Sequence, residues 1–330
     1  MADMKKQWNE KRYHSLDFEL KSMFGEKLYK ISLDAGMTCP NRDGIIGTRG
    51  CIFCSQGGSG DFASDRRLSI TEQIERGKAQ TASKYQGSGY IAYFQAYTNT
   101  YAPPERLRAV YQEAASHPDI RVLSIATRPD CLDKEVLDIL TEFNRIKPVW
   151  IELGLQTIHE KTAQLIRRGY ELPVFEASVR ALRLRRIPVI VHTILGLPGE
   201  DPDMFLDTVR YLSACDIQGV KFQLLHVLKH TDLAKLYEKE PFWLPAMEEY
   251  IEIIGQALCL LRPDITVHRL TGDGPKSLLI QRISGVRTKC CRNTKCRTRR
   301  IFTHESRGRA IPCRIASGLK GSAKSSGREG

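Results

Sequence analysis

Seven short apolar segments recur along residues 28–270, separated by longer stretches with helical spacing, and this alternation leaves few folds open. The segments are 28–33, 90–95, 122–127, 149–155, 189–195, 220–225 and 265–270. Most are runs of Val, Ile and Leu with little polar alternation, the pattern of parallel strands buried on both faces. Helices are expected between them at 71–85, 104–116, 134–145, 159–168, 173–185 and 203–214, with one more at 245–261 before the last strand. Several open on proper start signals: Ser69 and Thr71 before Glu72, Pro103-Pro104-Glu105, and Asp201-Pro202. Strand–helix units joined by right-handed crossovers curl a parallel sheet towards a barrel. Six or seven units fall short of the eight of a closed TIM barrel. The expected fold is therefore α/β, a partial (β/α)6-type TIM barrel open on one side. Its reactive groups belong at the C-terminal ends of the strands.

The loop after the first strand stands at that end. It carries Cys39, Cys51 and Cys54 among Pro40, Asn41, Asp43 and several glycines. Such residues let backbone turn tightly, so three thiolates can converge on one metal centre. On a [4Fe–4S] cluster, three Cys leave one iron free to hold a small molecule. Zinc remains open too, because Cys51 and Cys54 form a C-x2-C knuckle that Cys39 and a distant Cys or His could complete. A structural zinc site normally shows a second knuckle. Between residues 55 and 280 there are only the isolated Cys131, Cys215 and Cys259.

The formal charge of +12 is concentrated at one end. Residues 281–330 hold 14 Lys and Arg against 2 acidic residues, so residues 1–280 are neutral. Whole-chain basicity is thus no argument that the folded body binds nucleic acid. The start of the chain is charged and lacks an apolar leader, and the longest apolar run, 187–197, is too short to span a bilayer. A cytoplasmic protein with no membrane association is expected. Its irregularly spaced cysteines then read as metal ligands or buried thiols. Three regions follow: an N-terminal extension over 1–27, mixing Lys and Arg with Trp8, Tyr13 and Phe18; the barrel over 28–280; and a basic tail over 281–330. Apolar periodicity stops at Gln281, so the tail is expected to be disordered, the product of a reading-frame shift near residue 280.

The strand ends carry further motifs. Tyr93-Phe-Gln-Ala-Tyr-Thr-Asn-Thr-Tyr101 follows strand two, Ala126-Thr-Arg-Pro-Asp130 strand three, and Glu152-Leu-Gly-Leu-Gln156 ends strand four. Val191-His-Thr-Ile-Leu-Gly-Leu-Pro-Gly-Glu200 closes strand five, and Leu224-Leu-His-Val-Leu-Lys-His-Thr-Asp-Leu233 follows strand six. With the cysteine loop, these resemble the radical S-adenosylmethionine (SAM) superfamily. Within it they resemble the YhcC/YtqA family, whose core is similar to that of the Elongator catalytic subunit without its acetyltransferase domain. The 11-residue gap between Cys39 and Cys51 departs from the superfamily's commoner CxxxCxxC and fits this family's longer loop.

The resemblance implies that Cys39, Cys51 and Cys54 hold a [4Fe–4S] cluster and that SAM chelates the fourth iron. One-electron reduction then yields a 5′-deoxyadenosyl radical that takes a substrate hydrogen, while the protein orients the cofactor and excludes water. Phe53, between two ligands, would shield the cluster. For SAM contacts the candidates are Glu152, Gln156, Arg168, Gln95, His192 and Gly196. Glu152 leads them, because a carboxylate inside an apolar strand must find donors, either on SAM or on a barrel Arg. His226, Lys229, His230, Arg269 and Asp273 are candidates for the substrate side. The implied substrate is tRNA, at the C5 side chain of wobble uridine 34, converted from carboxymethylaminomethyl to aminomethyl ahead of a methyltransferase. Flavodoxin or ferredoxin would donate the electron. Two other readings stay open: a radical SAM enzyme acting on a small metabolite, and a non-catalytic zinc or Fe–S protein that binds nucleic acid.

Overall fold

Strands form where both faces of a segment are apolar, and in the computed structural model they line up in chain order. The structure describes residue 8 and residues 11–85, 87–272 and 274–280. Asp273, the tail over 281–330 and the start of the N-terminal extension lie outside the described residues. Among these residues the sheet has seven strands: β1 Tyr29–Leu33, β2 Tyr90–Phe94, β3 Ile120–Thr127, β4 Val149–Gln156, β5 Val189–Leu195, β6 Gly219–Leu224 and β7 Thr266–Arg269. Each pairs in parallel with the next, which leaves β1 and β7 at the two edges of a curled half-barrel.

The helices lie where the sequence pattern expects them, with two additions. The first, α1 (Leu16–Phe24), precedes β1. The crossovers then carry α2 (Ile70–Thr81), α3 (Pro104–Ser116), α4 (Lys134–Asn144), α5 (Glu160–Leu165), α6 (Leu172–Leu184) and α7 (Pro202–Ala214). After β6 come α8 (Asp232–Lys239), the second addition, and α9 (Met247–Leu260). Side chains satisfy the orphan N–H groups that start them. Ser69 and Glu72 form a reciprocal capping box on α2, while Asp133 and Asp201 accept from Val136 N and Met204 N at 2.8 and 2.9 Å. The helices cover the outer face of the sheet, where Leu33, Phe94, Ile125, Ile151, Val191 and Phe222 are fully or almost fully buried.

The inner face is divided by depth. Near the N-terminal ends of the strands, Ile91, Val122, Trp150 and Ile190 form an apolar floor with Leu20 and Leu28. Leu16 and Phe24 of α1 pack against it. The described part of the N-terminal extension is therefore a plug in the bottom of the barrel. Ser15 caps α1 by accepting from Phe18 N at 3.3 Å, and Val267 N donates to His14 O at 2.7 Å, tying the extension to the edge strand β7. Of the aromatic residues of this extension, Trp8 and Phe18 pack on the His14 ring, with ring centroids 6.1 and 5.6 Å away. Above the floor the inner face turns polar.

Candidate active site

Turn chemistry shapes the cysteine loop first. Arg42 N donates to Cys39 O at 2.8 Å, Ile46 N to Pro40 O at 2.8 Å and Gly50 N to Asn41 O at 2.7 Å, folding the stretch between Cys39 and Cys51 back on itself. Asn41 is buried, and its Nδ2 donates to Arg167 O at 2.8 Å and towards Cys51 Sγ at 3.6 Å. Gly169 makes this approach possible: its φ is +81°, and a Cβ there would stand 2.7 Å from Asn41 Oδ1. The helix expected over 159–168 consequently stops at Leu165, because Arg167 (φ +57°) and Gly169 must turn their backbone towards the cysteines.

Cys39, Cys51 and Cys54 are free thiols and line one cavity of about 440 Å³ at the C-terminal ends of the strands. The sulfurs of Cys51 and Cys54 interact directly. The hydrogen bond from Cys51, helped by Arg42 and opposed by burial, pulls Cys54 down to about 6, while the same bond and burial push Cys51 well up. The cavity's two histidines are engaged, His192 by Glu152 and Gln223, His226 by Gly272 O at 3.1 Å. Three converging thiols, nearby N–H donors and no available fourth ligand among the described residues fit a cluster with one open iron.

The polar layer of the barrel supplies one side chain from each of six strands. Glu152 on β4, 1% exposed, accepts from Lys30 (β1) at 2.8 Å, Ser124 (β3) at 2.6 Å and His192 (β5) at 2.7 Å, and it pairs with Lys221 (β6). Tyr93 (β2) lies beneath both lysines, its ring centroid 4.8 Å from Lys30 Nζ and 4.3 Å from Lys221 Nζ. Burial alone would raise the Glu152 pKa, but Lys221 and Lys30 overcome it and hold the carboxylate well below its usual range. Burial lowers Lys221 well below an ordinary lysine, opposed by Glu152 and reinforced by Lys30 and Arg269. His192 is pushed down to about 4 by burial and by Lys221, so it is neutral and donates from Nε2 to Glu152. Tyr93 is pushed well up by burial and Glu152 and stays a phenol. The expectation for Glu152 changes accordingly: this chain already supplies the carboxylate with four donors.

The other expected contacts separate into two groups. Gln95 and Gln156 line the cavity, Gln95 Nε2 donating to Ser59 O at 2.7 Å and Gln156 sitting at φ +70° after an irregularity in the β4 ladder. His226, Phe53 and Arg269 line it as well. Arg168 is 2% exposed, and its guanidinium is committed to Tyr170 O, Thr157 O and Glu160 at 2.9, 2.7 and 2.8 Å. It lines the cavity and braces the β4–α5 turn, with these donors already taken. Gly196, at φ +89°, faces Leu244 and Pro245 and does not line the cavity, so turn geometry and packing account for it. Lys229 and His230 are exposed on the turn before α8, away from the cavity.

Sequence reasoning missed Lys30, Tyr93, Lys221, Asn41 and Arg128. Lys221 had the same signal as Glu152, a charge in the middle of an apolar strand. Arg128 is 9% exposed, binds Asp130 at 2.9 and 2.7 Å and Arg168 O at 2.8 Å, and puts its charge beside Cys39 and Cys51.

Comparison with known proteins decides the family. The Radical SAM superfamily model matches residues 45–212, and the Radical_SAM C-terminal domain model matches 217–296, running past the boundary expected at 280. The chain belongs to the radical SAM superfamily. It is 45% identical over 271 residues to YtqA of Bacillus subtilis, across 82% of this chain and 84% of that protein. It is 25% identical over 174 residues to the tRNA uridine(34) acetyltransferase of Methanocaldococcus jannaschii, across 51% of this chain and 31% of that one. Among solved structures, an N-terminally truncated Elp3 from Methanocaldococcus infernus superposes with a TM-score of 0.63 at 15% identity, covering 83% of this chain and 63% of that chain, a likeness of fold. As a radical SAM enzyme the chain works with a [4Fe–4S] cluster and SAM. Among the described residues no helix is long and apolar enough to cross a membrane.

Proposed function

We propose that this radical SAM enzyme modifies tRNA at the C5 side chain of uridine 34, converting carboxymethylaminomethyl to aminomethyl in the cytoplasm, ahead of a methyltransferase. Cys39, Cys51 and Cys54 hold the cluster, and flavodoxin or ferredoxin reduces it. When bound, the cluster and SAM supply one-electron chemistry able to take hydrogen from an unactivated carbon. The residues of the chain do the rest. Asn41 and Arg42 orient the loop and place N–H donors by its sulfurs, Phe53 covers it, and Gln95 and Gln156 flank the cofactor. The Lys30–Glu152–Lys221 layer holds the base of the cavity rigid.

The observation that carries the reading is the cavity itself, lined among the described residues by three thiols and by five Lys and Arg side chains against two carboxylates, in a chain similar to a tRNA uridine(34) acetyltransferase. The exposed Arg49, Arg66 and Arg67 offer contacts to phosphate. The test is anaerobic reconstitution, followed by dithionite, SAM and tRNA carrying carboxymethylaminomethyl-uridine, with 5′-deoxyadenosine and nucleoside products measured by mass spectrometry. Aminomethyl-uridine that forms in step with deoxyadenosine, and is lost in Cys39→Ala, Cys51→Ala and Cys54→Ala, supports it. Deoxyadenosine without any change in the tRNA points to a small-metabolite substrate.

A further inference from the structure

The last strand is irregular where it meets the cavity. Val220 pairs with Val267, but the next pair is Lys221 with Arg269, so His268 is an extra residue on β7. Such a bulge lets two successive side chains face the same way. His268 turns in against Trp150, with ring centroids 5.5 Å apart, and Arg269, exposed at the rim, lines the cavity next to Lys221.

Arg269 differs from every other guanidinium on the cavity wall. Arg42 donates to Ser55 O at 2.5 Å, Arg128 to Asp130, and Arg168 to Thr157 O and Glu160. Lys221 is spent on Glu152. Among the described residues Arg269 has no hydrogen-bond or ion-pair partner. Among the described residues the cavity's two carboxylates are both taken, Asp61 by Ser55 at 2.8 Å and Glu152 by the lysines. An arginine fork exposed at the rim beside a buried lysine, with no acceptor among the described residues, can take a planar anion brought in from outside.

We propose that Arg269 anchors the substrate through a carboxylate, holding the acid end of the modified uridine side chain at the β7 edge of the cavity. This rests on the tRNA reading above. The RNA backbone offers a phosphate to the same fork, so the test compares two substrates that differ by the carboxymethyl group that carries the acid. Reconstituted holoenzyme with SAM is titrated anaerobically with tRNA bearing carboxymethylaminomethyl-uridine 34 and with the same tRNA bearing aminomethyl-uridine 34. Wild type is expected to prefer the acid-bearing tRNA by about tenfold to a hundredfold, the range of one charge-assisted contact. Arg269→Gln removes that preference and binds the aminomethyl tRNA as wild type does, which also reports that the variant is folded. Arg269→Lys keeps the charge without the fork and retains part of the preference. Equal weakening of both tRNAs by Arg269→Gln means the fork reads phosphate and overturns the proposal. So does a preference that survives Arg269→Gln, or its absence in wild type. Wild type binding neither tRNA overturns the tRNA reading itself, and the proposal with it.

Discussion

Replacing Glu152 with Gln keeps the shape of the side chain and removes the charge that two lysines face. Breaking a buried ion pair by removing one partner costs about 3–5 kcal/mol. Two features place this case at the lower end. The Lys30 side chain is 22% exposed and can turn back to water, and Lys221, already lowered by burial, can shed its proton. About 3 kcal/mol is therefore expected, which for a domain of this size lowers Tm by roughly 6–12 °C. The assay is anaerobic thermal unfolding by circular dichroism at neutral pH. Lys221→Met made on top of Glu152→Gln should return at least about 1 kcal/mol, because the second change removes the stranded amine. A loss under about 0.5 kcal/mol for Glu152→Gln, or a double variant equal to the sum of the two singles, would refute the reasoning: the lysines would then not depend on the carboxylate.

His192 titrates near 4 in the folded chain against an ordinary value of 6.5, so between those pH values the unfolded chain holds a proton that the folded one lacks. Stability should thus fall by about 3 kcal/mol as pH drops from 6.5 towards 4, and His192→Asn should flatten urea-unfolding stability across that window; an unchanged slope would assign the pH dependence elsewhere. Gly169→Ala puts a methyl 2.7 Å from Asn41 Oδ1 at a backbone angle that L-residues avoid, and should cost about 1–3 kcal/mol; iron retained per chain after reconstitution should fall, and full retention would show that the Asn41 contact is dispensable. A chain ending at Ile280 keeps the hydrogen bond from Ile280 N to Val227 O at 3.0 Å. It is expected to reconstitute and cleave SAM like the full chain, as the expectation of a frame-shifted tail requires, and loss of the cluster on truncation would count against that.

Much of the fold was legible because its signals are local. Runs such as Val-Ile-Val-His-Thr-Ile-Leu on β5 read as strand whatever surrounds them, and Ser69 or Asp201 marks a helix start within a few residues. The cysteine loop was legible for the same reason, its chemistry being carried by residue types at short spacing. Helices α1 and α8 were not. A short helix in a polar, basic stretch has no strong period of its own, and Leu16, Leu20 and Phe24 acquire their meaning from the barrel floor they fill. The reading of Glu152 and Arg168 shows the same limit in the site. Both stood out as charges that had to be satisfied, and both are, but by partners 28 to 122 residues away for Glu152 and by nearby backbone carbonyls for Arg168. A strand records that a charge points inward, whereas the identity of its partner depends on sheet order and stagger. Which arginine is left without an acceptor likewise follows from packing, because Arg42, Arg128, Arg168 and Arg269 differ little as residues in a sequence. Their carbonyl and carboxylate partners are distributed by the tertiary fold, and a single bulge in β7 puts Arg269 at the cavity rim.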